Sequence, residues 1–103
     1  MTIEDIEGQA EAFVQVIGKL SVKERAAQPY AQYGERFNQV LALAKEALPA
    51  IDSRLWPPAI EVPRARMGPS HAAATYAEIE TYAKQLLRIL GQHSALPAGP
   101  IRG

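Results

Sequence analysis

Apolar residues fall at Ile3, Ile6, Ala10, Phe13, Ile17 and Leu20, with spacings of 3, 4, 3, 4 and 3. That alternation marks a helix with one buried seam and predicts a first helix over about 3–20. Thr2 stands where an N-cap belongs, with its hydroxyl placed to accept from the N–H of Asp5. Glu4, Asp5 and Glu7 suit the positive end of the helix dipole. Gly8 and Gly18 each weaken a helix by about 1 kcal/mol relative to Ala, so this one must be held by packing. Ser21 to Glu24 has the capping-box form and predicts a short helical turn near 22–27.

The same rhythm returns at Tyr30, Tyr33, Phe37, Val40, Ala44 and Ala47, widened by Leu41 and Leu48 and stopped by Pro49. It predicts a second helix over about 30–48. A third seam runs through Tyr76, Ile79, Ala83, Leu86 and Leu90, broadened by Leu87, with Gly91 placed as a left-handed C-terminal cap. Ser70 and the run Ala72 to Ala74 favour an early start, giving a helix over about 71–90. Thr75 with Glu78 is a rival capping box.

Between these helices, Pro57, Pro58, Pro63, Gly68 and Pro69 make a proline-rich connector over 57–70. Such chain is stiff and extended. Ile60, Val62 and Met67, set between the prolines, predict that it lies across the helices. Ile60–Val62 alone alternates as a strand would, and one isolated pair of apolar residues cannot make a sheet. The expected fold is all-α: a three-helix bundle in one domain (1–91), followed by a coil tail (92–103). The short link over 21–29 makes the first two helices an antiparallel hairpin. The long connector leaves the direction of the third helix open. The wide stripes of the second and third helices raise self-association, a homodimer that buries the surplus.

Composition narrows the functional classes. The chain has 103 residues, 48% of them hydrophobic, which suits one domain. Eleven basic residues balance eleven acidic ones, an argument against a nucleic-acid coat or a polybasic membrane anchor. The neutrality is uneven: residues 1–20 carry −3, and the rest is mildly basic. No cysteine is present, so there is no disulfide framework, thiolate metal site or thiol nucleophile. No apolar run reaches the ~18 residues of a membrane span, and a cytoplasmic protein without membrane contact is the expectation.

Candidate chemistry is sparse. His71 and Glu78 are seven residues apart, whereas helical metal pairs sit three or four apart. There is no nucleophile elbow, and Gly8, Gly18, Gly34 and Gly91 are isolated, so no phosphate cradle forms. Catalytic, metal and cofactor residues are therefore expected to be none, and the protein is expected not to be an enzyme. An oligomeric enzyme would need His71, Glu78 and a tyrosine in one cleft. Arg64 and Arg66 form an Arg-x-Arg pair that suits a phosphate, which makes a nucleic-acid-associated regulator the alternative reading. Trp56, beside Pro57 and Pro58, reads either as a structural plug or as a recognition element that costs little entropy to order. Tyr82 falls off the third seam and is the expected exposed aromatic. The leading expectation is a small helical protein that acts by binding another protein, as an adaptor, inhibitor or antitoxin-like regulator. Trp56, Tyr82, Arg64 and Arg66 are its candidate contacts.

Overall fold

Each of the three seams folds as a helix in the computed structural model, which describes residues 2–63 and 70–93. Helix α1 spans Ile3–Gly18, a short helix α2 spans Val22–Arg25, α3 spans Ala31–Ala47 and α4 spans Tyr76–His93. A single 3₁₀ turn, Ser53–Leu55, follows α3. The protein is an all-α bundle in which α1, α3 and α4 pack on one another.

The starts of these helices are fixed by local chemistry. Thr2 Oγ1 accepts from Asp5 N at 3.1 Å, and Asp5 Oδ2 accepts from Thr2 N at 3.1 Å. Ser21 and Glu24 repeat the exchange at 3.1 and 2.8 Å. Thr75 and Glu78 do so at 3.2 and 2.8 Å. Each box satisfies backbone donors that a helix start leaves open.

The core is built from the seam residues. Ile6, Ala10, Phe13 and Ile17 of α1 meet Phe37, Val40 and Ala44 of α3, with Ile79, Ala83, Leu86 and Leu90 of α4. Phe13 is the aromatic hub, edge-on to Tyr33 at 5.1 Å and to Phe37 at 5.7 Å between ring centroids.

Cross-contacts settle the direction left open by the long connector. Near the start of α4, Glu80 takes an ion pair from Arg25, just past the end of α1. Near the end of α4, Gly91 lies by Glu7 at the start of α1. So α4 runs antiparallel to α1. Tyr33 meets Tyr76, and further along Phe37 meets Tyr82, so α3 and α4 run parallel. A parallel pair requires the chain to travel back along the bundle between them, and the connector does this.

Its return path is clamped onto α3. Asn38 Nδ2 donates to Ile60 O at 2.8 Å, and Ile60 N donates to Asn38 Oδ1 at 2.7 Å, as a neighbouring strand would. Gly34, one turn earlier, opens the space. A Cβ there would stand 3.0 Å from Ala72 Cβ, 3.2 Å from Ile60 Cγ2 and 3.3 Å from Val62 Cγ2. Trp56, Pro57 and Ile60 are buried along this path. Leu41, on the same face of α3 as Gly34 and Asn38, is also buried. Of the residues that widen the stripes, Leu41 is buried within the chain itself, while Leu48 of α3's end and Leu87 of α4 are half-buried.

Four expectations change. Residues 71–75 are not helical, and α4 begins at Tyr76. Long-range bonds hold this stretch on a non-helical path: Ala72 N donates to Pro29 O at 2.9 Å and Ala73 N to Glu61 O at 2.8 Å, while Tyr76 N, which a helix from 71 would pair with Ala72 O, donates to Ala27 O at 3.0 Å. At its other end α4 passes through Gly91 to His93, so Gly91 is not a cap and His93 is not in a tail. The glycine penalty of about 1 kcal/mol is offset by Ile89 and Leu90, buried in the preceding turn. Tyr30 leaves the seam of α3, because the helix starts one residue later. It is 59% exposed and stacks on His71 at 5.0 Å. Helix α1 closes at Gly18, with Lys19 as its C-cap.

Candidate functional site

The antiparallel helices α1 and α3 leave a long groove on their outer side. One opening, of about 340 Å³, has Gln9, Ala12 and Val16 of α1 on one wall and Arg36 and Gln39 of α3 on the other. Phe13, Val40 and Tyr33 complete it, and the first two are buried core residues. A second opening of about 340 Å³ adjoins it between the start of α3 and the start of α4, lined by Tyr30, Gln32 and Tyr76 and sharing Tyr33 and Arg36 with the first.

Helical spacing explains this lining. On α1 the positions 9, 12 and 16 lie a quarter turn from the buried seam at 6, 10, 13 and 17. On α3, Gln32, Arg36 and Gln39 share one face, while Gly34, Asn38 and Leu41 lie on the connector side. Val16 is 52% exposed at the groove wall, an apolar side chain without cover.

The electrostatics of the groove are one-sided. No carboxylate lines either opening. Arg36 belongs to both, and among the described residues the ion pairs are made by others: Arg25 and Lys84 with Glu80, and Arg54 with Asp52. Tyr33 also belongs to both. Its hydroxyl is buried without a hydrogen-bond partner, and burial pushes its pKa up to about 12, with Tyr76 adding to the rise and Arg36 opposing it.

The residues singled out from the sequence sit elsewhere. Trp56 is 8% exposed and part of the core, which makes it a plug rather than a recognition element. Tyr82 is half-buried with its ring 6.4 Å from Phe37, a correction to its reading as the exposed aromatic. It lies three residues after Ile79 and four before Leu86, on the side of α4 that meets α3. Arg64 and Arg66 lie outside the described residues. His71 and Glu78 are engaged separately, one stacked on Tyr30 and the other closing the Thr75 capping box. Among the described residues no group of three His, Cys, Asp or Glu is placed to hold a metal ion. No described helix is long and apolar enough to cross a membrane.

Arg36, Gln39 and Val16 escaped the sequence reading because they look like ordinary surface positions beside a seam. The one trace lies on α1: in an acidic first helix, the face at 9, 12 and 16 carries no charge. Comparison with known protein families, curated proteins and solved structures finds no match to this chain.

Proposed function

We propose that this protein is a non-catalytic binding module that takes an amphipathic helix of another protein into the groove between α1 and α3. The groove itself carries this reading: it has a buried apolar floor, the uncovered Val16 on its wall and a rim without acidic side chains. Two antiparallel helices offer a third the ridge-and-groove surface of a four-helix bundle, so an apolar stripe on the incoming helix finds a matching seat. Binding there requires no movement of the connector, which is clamped to another face of α3.

The test places a photo-crosslinking amino acid at Val16, with Ala77 on the exposed side of α4 as the control site. One defined protein crosslinked from Val16 and not from Ala77, and lost when Ala12→Arg fills the groove, supports the reading. Crosslinking only to a second copy of the chain replaces it with self-association. Absence of a groove-specific adduct refutes it.

A further inference from the structure

The groove also specifies something about its occupant, and this step rests on the reading above. We infer that the segment seated between α1 and α3 carries a single carboxylate, flanked by apolar side chains, that pairs with Arg36. Arg36 stands on the α3 wall of the groove and also lines the adjoining opening by the start of α4, so a helix laid between α1 and α3 passes beside it. Its guanidinium has no ion-pair partner among the described residues, and its neighbours on the rim are the neutral amides Gln9, Gln32 and Gln39. A guanidinium partly desolvated by a docked apolar helix needs a charge-assisted partner, and its planar fork suits a carboxylate.

The number of charges is limited by α1. Glu4, Asp5 and Glu11 are exposed on that helix outside the groove lining, and they repel an acidic tract running beyond the groove. One carboxylate at Arg36 with apolar residues on either side meets both conditions. Complementarity of this kind sets register and specificity more than bulk affinity.

The probe is a display library of random peptides, panned against the full chain. Enriched peptides are synthesised, and their seat is mapped by amide shift changes at Ala12, Val16 and Gln39. Arg36 is exposed and makes no hydrogen bond in the described structure, so Arg36→Gln and Arg36→Glu leave the fold intact. The expected result is enrichment of apolar peptides with one Asp or Glu. Binding should then weaken about tenfold with Arg36→Glu, and recover when the peptide's acid is changed to Lys. Groove-bound peptides without an acidic residue, with affinities for Arg36→Glu within about twofold of wild type, overturn the carboxylate inference and leave the groove reading standing. If no selected peptide perturbs the groove, the groove reading fails and this inference fails with it.

Discussion

Replacing a helical glycine by alanine should have opposite signs at two places in this chain. At Gly8, exposed within α1, an added Cβ meets nothing within 4 Å. Gly8→Ala therefore collects the propensity difference alone and stabilises by about 1 kcal/mol. At Gly34 the same gain is set against three contacts, at 3.0, 3.2 and 3.3 Å from the new Cβ. The nearest atom, Ala72 Cβ, has no torsion that moves it aside, so the backbone must shift. That backbone is held by Ala72 N on Pro29 O and Ala73 N on Glu61 O, and Ile60 is held by both bonds from Asn38. Overpacking of this kind costs about 1–3 kcal/mol, which outweighs the propensity gain and leaves Gly34→Ala about 1 kcal/mol less stable than wild type. Urea denaturation followed by circular dichroism measures both variants. For a domain of this size the midpoints should separate from wild type in opposite directions by about 4–8 °C in a thermal scan. A Gly34→Ala protein as stabilised as Gly8→Ala would show that the connector is not pressed onto α3.

The remaining predictions test the other features on which the fold depends. Asn38→Leu keeps the branched four-atom shape of the side chain but strands the N–H and C=O of Ile60, and should destabilise by about 2 kcal/mol in urea; no change would remove the clamp. Tyr33→Phe deletes a buried hydroxyl that has no partner, so it should be neutral or stabilising by up to about 1 kcal/mol, and the slowest tyrosine in an alkaline absorbance titration should vanish with it. Because the Tyr33 pKa is raised to about 12 in the folded state, its contribution is full below the ordinary tyrosine value and is lost as pH rises towards 12. Asp5 and Glu24 behave oppositely. The backbone N–H of Thr2 and of Ser21, each followed by its hydroxyl, holds these carboxyls below their usual values, so their contribution is present at neutral pH and is lost as pH falls below about 4. Asp5→Asn should flatten that acid loss of helicity, and an unchanged profile would contradict the capping box. Trp56 should emit blue-shifted fluorescence that resists acrylamide, whereas a quenchable emission would place the ring outside the core.

Spacing and caps, which act within a turn or two of helix, are written plainly in this chain. Seams at 3, 4, 3 intervals and the pairs Thr2–Asp5, Ser21–Glu24 and Thr75–Glu78 account for three main helices, for one short one and for most of the core. Ala72 to Ala74 show the limit of such rules. Alanine is the best helix former, yet bonds to carbonyls of Pro29 and Glu61, distant in the chain, hold these residues on a non-helical path, and Ala27 takes the Tyr76 N–H that an earlier helix would pair internally. Gly91 shows the reverse case, a local stop signal overruled by buried neighbours. The same holds for the site. Arg36, Gln39 and Val16 become a groove only because α1 and α3 lie antiparallel, with α4 and the connector covering their other faces. The sequence by itself thus determined that there are three main helices and which face of each is buried. Only the tertiary structure decided the direction of α4, the path of the connector and the groove, because these depend on contacts between residues far apart in the chain, which no local pattern encodes.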